Sequence, residues 1–256
     1  MLMDPIWQFT ILFVTGLAAG FVDTIAGGGG LITLPVLLSL GLPPKDALAT
    51  NKLQSTFGSG SATVHYARAG VMNLRDCALG ILFTFIGTSL GSLAVLRVNA
   101  DFLKRLIPLL LVAIVGYLLW KPKAGFEDAR PRMGRTAFYV LFGLALGFYD
   151  GFFGPGTGSF WAMAFMVFLG FNMTRATGYT KVMNFTSNLF ALVVFIVGGH
   201  VHYAFGAVMA VGQLVGAWLG AREVIKRGTR FIRPVFLTVV GALTLKLVYD
   251  GFLAGR

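Results

Sequence analysis

Four ionisable side chains lie inside apolar stretches of the chain, and they form two similar sets. Asp23 and Lys52 make up the first set, and Asp150 and Lys181 make up the second. Burying a charge away from water is costly, and inside a membrane such residues are read as functional by default. Because a lysine ammonium attracts anions as a point charge, the two sets predict a site for a small anion.

A glycine-rich loop follows the aspartate in each set, before a short apolar run. The first loop spans Gly27–Gly30, and the second reads Gly-Pro-Gly-Thr-Gly over 154–158. Free N–H groups at a helix N-terminus and the positive end of its dipole favour an anion, and glycine lets the backbone approach it. The alternative is that these glycines only permit close helix packing. The loop residues expected to bind the anion are Gly28, Gly29, Gly30, Gly156, Thr157 and Gly158.

Each lysine lies on a polar helix whose donors share one face. Lys52, Ser55 and Ser59 are spaced i, i+3, i+7, and the second set repeats this spacing. An oxyanion needs such donors beside a cation. The helix residues expected to contact the anion are Asn51, Lys52, Ser55, Thr180, Lys181, Asn184 and Asn188.

The lysines have a second interpretation, in which they only neutralise the aspartates. Lys52 would then pair with Asp23, and Lys181 with Asp150, because paired charges are the least costly ones in a membrane. Since a bare carboxylate repels an anion, we assign Asp23 and Asp150 to charge pairing or proton coupling. The sequence leaves open whether the lysines touch the anion or only pair.

The composition is that of a polytopic membrane protein. Hydrophobic residues make up 56% of the 256 residues and charged residues only 12%, about half the usual share of a soluble domain. The basic residues that give the net charge of +11 lie in short loops between apolar runs. This placement reports the membrane topology and indicates contact with lipid rather than with nucleic acid. The single cysteine, Cys77, excludes an intramolecular disulfide and a thiolate metal cluster. We expect no metal, no cofactor and no enzymatic activity.

The pattern predicts an all-α fold of two five-element halves with short, glycine-interrupted helices. The halves span 1–120 and 136–256, and a charged connector spans 121–135. The elements expected in the first half are Ile6–Ala26, Leu31–Leu40, Lys45–Ala69, Leu74–Val98 and Phe102–Trp120. Those expected in the second are Thr136–Phe153, Ser159–Gly170, Met173–Gly198, Tyr203–Ile225 and Phe231–Tyr249.

The two halves align as a repeat, which raises the question of their relative orientation. Asp23 matches Asp150 at an offset of 127, and Lys52 matches Lys181 at an offset of 129. If every element crosses the membrane, the repeats are inverted, and thirteen basic residues lie on one side against five on the other. If Leu31–Leu40 and Ser159–Gly170 are re-entrant, the repeats are parallel and this bias nearly vanishes. The positive-inside rule therefore favours inverted repeats with both termini outside.

Four segments resemble the TauE/SafE family of sulfite and organosulfonate exporters, in its YfcA-like branch. They are GFVDTIAGGGGLITLP (20–35), ALATNKLQ (47–54), GFYDGFFGPGTGSF (147–160) and KVMNFTSN (181–188). The resemblance implies a multi-pass permease of the bacterial inner membrane that moves sulfite or a related sulfur oxyanion outward by alternating access. Alternatives are a permease for a sulfonate, thiosulfate or carboxylate, an intramembrane enzyme, or a passive channel. The expected partners are a small anion and the lipid bilayer, with a homo-oligomer left open.

Overall fold

The computed structural model describes residues 4–99, 102, 127–228, 230, 231 and 234. These ranges hold eight α-helices, one 3₁₀ turn (Leu74–Cys77) and no strand, which confirms the all-α prediction for the described residues. The predicted fifth elements and most of the connector lie outside them. The helices are α1 (Pro5–Ala26), α2 (Gly29–Ser39), α3 (Pro44–Arg68), α4 (Ala78–Arg97), α5 (Arg135–Phe152), α6 (Thr157–Phe168), α7 (Met173–Val197) and α8 (Tyr203–Arg227).

Four helices in the described part of the chain are long and apolar enough to cross a membrane. They are α1, α7, α8 and the segment Leu74–Arg97, which consists of the 3₁₀ turn and α4. Helix α3 has a comparable length of 25 residues but a polar sequence. Several spans of this kind make the chain a multi-pass membrane protein.

The two short helices begin earlier than the sequence predicted. Gly29 and Gly30 form the first turn of α2, and Thr157 and Gly158 form the first turn of α6. The loops therefore shrink to a few residues around Gly27–Gly28 and 153–156. Glycine disfavours a helix interior, but at the N-terminus the first N–H groups have no intrahelical partner in any case, so the cost is small. At 11 and 12 residues, α2 and α6 are only about 16–18 Å long.

The first helix of each half packs against the fourth helix of the other half. Along α1 and α8, Gly16 lies against Met209 and Gly20 against Gln213, so the two helices run parallel. Along α4 and α5, the hydroxyl of Thr88 donates to Gly147 O (3.0 Å), and that of Ser92 donates to Gly151 O (3.2 Å), so this pair is also parallel. The halves are thus interleaved rather than side by side.

The polar helices α3 and α7 cross each other at the centre and run antiparallel. Asp46, near the start of α3, contacts His200 beyond the end of α7 at 2.7 Å. In the middle, Asn188 Nδ2 donates to Ser59 Oγ at 3.4 Å, and past the end of α3, Met72 lies against Gly178. This crossing brings the two lysine-bearing faces together.

The helix ends define two faces of the bundle. The first, which we call the basic face, carries the ends of α3, α6 and α8 and the starts of α4, α5 and α7. Two contacts join these ends: Arg135 Nη1 lies 3.6 Å from Asp76 Oδ2, and the Arg132 N–H donates to Phe168 O at 2.8 Å. The opposite face carries the starts of α1, α3 and α8, and Lys45 Nζ donates there to Leu96 O at 2.7 Å. The described basic residues of the basic face are Arg68, Arg75, Arg130, Arg132, Arg135, Arg175, Arg222, Lys226, Arg227 and Arg230.

Candidate functional site

The two buried lysines pair with aspartates of the opposite half. Lys52 Nζ lies 2.5 Å from Asp150 Oδ1, and Lys181 Nζ lies 2.8 Å from Asp23 Oδ2. The pairing of Lys52 with Asp23 and of Lys181 with Asp150, considered from the sequence, is therefore wrong. The reason is the interleaved packing, because α3 and α7 cross at the centre and each directs its lysine to the other half.

The Lys52–Asp150 pair is almost completely buried and is held by side chains of α7. Lys52 is 1% exposed and Asp150 is 3% exposed. The second carboxylate oxygen of Asp150 accepts from the Ser187 hydroxyl, and Lys52 also donates to Asn188 Oδ1 at 3.2 Å. Such a pair is stable only while both charges are present, since removing one leaves the other buried and unpaired.

The Lys181–Asp23 pair is built differently, because Asp23 also caps α2. Lys181 donates to both the backbone oxygen and Oδ2 of Asp23, while Asp23 Oδ1 accepts from the Gly29 N–H at 3.3 Å. A carboxylate at a helix N-terminus is favoured by the helix dipole. The helix end that was expected to attract an anion therefore already holds the protein's own anion.

The first glycine loop touches the first turn of α6 at the centre of the bundle. A Cβ on Gly27 would overlap the backbone of Gly158, and a Cβ on Gly158 would overlap Gly27. The Ser159 hydroxyl donates to Ala26 O at 2.7 Å and fixes this contact. Gly27 has a φ of +76°, a value that favours glycine, so both the space and the conformation require glycine there.

A small polar cavity lies on one side of this glycine contact. Its volume of about 20 Å³ is roughly that needed for one water molecule. Eleven of the fifteen site residues expected from the sequence line it, together with Gly27 and Gly154; Gly28, Gly29, Thr180 and Lys181 do not. The lining residues are Asp23, Gly27, Gly30, Asn51, Lys52, Ser55, Asp150, Gly154, Gly156, Thr157, Gly158, Asn184 and Asn188.

The sequence reasoning did not assign several residues that shape this site. Asn51 Oδ1 accepts from the Thr33 hydroxyl at 2.5 Å and from Gln54 Nε2 at 2.8 Å, which fixes the Asn51 side chain. Ser187 fixes Asp150 in the same way. Thr33 gave no signal because it lies in an apolar run, whereas Ser187 could have been found from its place one residue before Asn188 on the polar face.

The described residues contain no group of histidine, cysteine, aspartate and glutamate that could hold a metal ion. One enzyme-like motif does occur, since residues 87–91 read Gly-Thr-Ser-Leu-Gly and fit the GxSxG pattern of serine hydrolases. This segment lies inside α4, however, and the hydrolase motif requires a sharp turn between a strand and a helix. The site offers buried cations, carboxylates and amide and hydroxyl groups around a small polar cavity, and such groups can hold an ion by charge and hydrogen bonds.

Comparison with known proteins gives consistent matches over nearly the whole chain. The model of the family described as "Sulfite exporter TauE/SafE" matches residues 12–247. The chain is 47% identical over 240 residues to the "Probable membrane transporter protein YfcA" of Escherichia coli (strain K12), covering 94% of this chain and 89% of that protein. It is 45% identical to a "Probable membrane transporter protein" of Haemophilus influenzae, covering 94% of each. A more distant relative is the "Probable membrane transporter protein YunE" of Bacillus subtilis, at 26% identity, covering 95% of this chain and 98% of that protein.

Proposed function

Because this chain belongs to the TauE/SafE sulfite exporter family and is a membrane transporter of that type, we propose that it exports sulfite or a related small sulfur oxyanion across the bacterial inner membrane. The family name supplies the substrate class. The cavity beside Lys52 supplies an independent reason to expect a small anion. Its lining of one buried ammonium with amide and hydroxyl groups suits an oxyanion.

The observation that carries this proposal is the position of Lys52. It is 1% exposed and lines the central cavity together with Asn51, Ser55, Asn184 and Asn188. An ammonium has three donors, and the contacts with Asp150 and Asn188 use two of them. The third donor, with the surrounding amide and hydroxyl groups, would bind oxyanion oxygens. Since the cavity holds about one water, substrate binding must widen it.

The two aspartates set a condition on binding. The site carries two lysines and two aspartates, so it has no excess positive charge when all four are ionised. An incoming anion must therefore compete with Asp150 for Lys52. Protonation of Asp150 would remove this competitor, and the anion would then be bound together with a proton.

We also propose that the two halves are inverted repeats that exchange access between the faces. The parallel pairs α1–α8 and α4–α5, with the antiparallel crossing of α3 and α7, are what inverted halves would produce. The basic face would be cytoplasmic by the positive-inside rule, since the opposite face holds only Lys45 and Arg97 among the described arginines and lysines outside the site. Rocking of one half against the other would then open the cavity to each face in turn.

Sulfite efflux from proteoliposomes tests the function, with wild type beside Lys52→Met. We expect saturable efflux from wild type and a loss of at least about tenfold in kcat/KM in the variant, because a hydrogen bond to a charged group contributes roughly 1.5–3 kcal/mol. Lys45→Met is the matched control, since it removes a lysine from the same helix at the opposite face, where Lys45 contacts a backbone carbonyl.

A second variant separates substrate contact from charge pairing. Lys52→Met leaves Asp150 buried without its cation, which could impair folding. Lys52→Met/Asp150→Asn removes both charges and should restore folding without restoring efflux. Full efflux from this double variant would mean that Lys52 only pairs. Absence of sulfite flux from folded wild type would contradict the proposed substrate, and competition by thiosulfate, sulfonates and carboxylates would identify its replacement.

A further inference from the structure

A second cavity lies across the glycine contact from the first, and it contains the two helix residues that the central cavity lacks. It is lined by Thr180 and Lys181 on α7, by Met166 on α6, and by Gly27 and Gly158. Its volume is about 10 Å³, close to the smallest space that holds a water molecule. Gly27 and Gly158 line both cavities, so the contact between these two backbones is the partition that separates them.

From this arrangement we propose that the transported anion has a second binding station, between Lys181 and Thr180, on the basic side of the Gly27–Gly158 contact. The inference rests on the proposed function, because it concerns the same anion on its way to the central cavity. It divides one expected site into two stations with one buried lysine each: Lys181 receives the anion from the basic face, and Lys52 holds it at the centre.

The Thr180 hydroxyl is the observation that points to a ligand. Thr180 is 1% exposed, lines the second cavity, and its Oγ1 has no hydrogen-bond partner among the described residues. Buried hydroxyls are nearly always hydrogen-bonded, so an unpartnered one beside a cavity indicates a polar occupant. The neighbouring Thr186 of the same helix shows the ordinary arrangement, since its hydroxyl donates to Val182 O at 2.9 Å.

Lys181 provides the charge for this station. Its side chain is fully buried, and its ammonium donates to the backbone oxygen and to Oδ2 of Asp23. Two of its three donors are therefore used, and the third is available to an anion beside Thr180. Asp23 is also less enclosed than Asp150, with 20% of its side chain exposed, so an anion can displace it from Lys181 at lower cost.

Two methionines close the second cavity on the side of the basic face. Met173 lies at the start of α7, and Met166 lies near the end of α6, and both of these helix ends belong to the basic face. Methionine is unbranched and flexible, so it can move aside with little rearrangement of the backbone. The order from the basic face is therefore the methionine pair, Lys181 with Thr180, the glycine contact, and Lys52.

The test compares Thr180→Val with Thr186→Val, using sulfite as the probe in membrane vesicles of both orientations. Both substitutions replace a hydroxyl by a methyl of similar size in the same helix, but only Thr180 lines the cavity. We expect Thr180→Val to raise KM for sulfite presented at the basic face by about two- to tenfold, the range for one neutral hydrogen bond. KM at the opposite face should stay unchanged, Thr180→Ser should restore the wild-type value, and Thr186→Val should behave as wild type at both faces.

Two results would overturn the second station while leaving the proposed function in place. One is an unchanged KM at the basic face in Thr180→Val, measured on protein with wild-type flux. The other is an equal rise in KM at both faces, which would indicate one shared site. An inactive wild type would instead contradict the proposed function itself, so the two failures are distinguishable.

Discussion

At the residue scale, the two lysine–aspartate pairs are alike in charge but differ in how the carboxylate is held. Asp150 accepts from the Ser187 hydroxyl, whereas the residue matching Ser187 at the repeat offset of 129 is Gly58, which has no hydroxyl. Asp23 uses the Gly29 N–H instead. Asp150 is also the more deeply buried carboxylate, so its charge depends more strongly on Lys52. Asp150 is therefore the carboxylate that should compete most strongly with an anion for a lysine.

Asp150→Asn should change how tightly the site binds an anion. In wild type, an incoming anion competes with the Asp150 carboxylate for Lys52, whose ammonium lies 2.5 Å from it. Asparagine carries no charge, so the variant should bind the anion more tightly than wild type. Calorimetric titration with methanesulfonate measures this affinity.

Asp4→Asn is the control for this experiment. Asp4 is an exposed cap of α1, and asparagine can still accept the Ile6 N–H. The affinity of Asp4→Asn for methanesulfonate should equal that of wild type. Weaker binding by Asp150→Asn than by wild type would show that Asp150 does not compete with the anion.

At the element scale, glycines set the distance between the long helices. Gly212 and Gly216 of α8 lie against the backbone of α1, and Gly87 and Gly91 of α4 lie against the backbone of α5. Small residues at such spacing allow close approach of helices where the surrounding lipid is as apolar as the side chains. The interleaving of the halves, and through it the pairing of charges at the centre, depends on these contacts.

Gly216→Ala should therefore destabilise the protein. The added Cβ would overlap Leu17 O on α1, and inserting a methyl group into a tight contact typically costs about 1–3 kcal/mol. We expect a lower Tm in detergent. Gly134→Ala is the control, since a Cβ there meets nothing within 4 Å and the backbone φ of −67° suits alanine. Equal Tm values for the two variants would mean that the α1–α8 contact can relax without loss.

At the scale of the whole molecule, charge is distributed unevenly between the two faces. Arginines and lysines concentrate at the basic face, which also holds the starts of α4, α5 and α7. Positively charged loops are retained on the cytoplasmic side of a bacterial membrane. The cavity that contains Lys181 lies on this side of the Gly27–Gly158 contact, so under the proposed export the anion would reach this cavity first.

Labelling of single cysteines should reveal this orientation. Cys77 is buried and unpaired, and Cys77→Ala provides a background without thiols in the described residues. Ser39→Cys at the opposite face should react with a membrane-impermeant maleimide in intact cells, whereas Lys226→Cys at the basic face should react only after lysis. Both parent residues are exposed. The reverse pattern would place the basic face outside the cell and contradict the assignment.

The sequence by itself determined the local features of this protein. The repeated order of aspartate, glycine loop and lysine, the polar faces around Lys52 and Lys181, and most helix positions follow from hydrophobic patterning and turn residues. These signals act over a few residues, so they can be read without the fold. The exception is the start of α2 and α6, where each helix begins two residues before the predicted apolar run.

Only the tertiary structure decided which groups meet. Lys52 and Asp150 are 98 residues apart, and Lys181 and Asp23 are 158 residues apart, so no local pattern distinguishes them from the uncrossed pairs. The glycine contacts that interleave the halves make the crossed pairs, and the meeting of Gly27 with Gly158 divides the polar centre into two cavities. The physical reason is that backbone contacts between distant helices fix side-chain partners, and such contacts exist only after the whole bundle has packed.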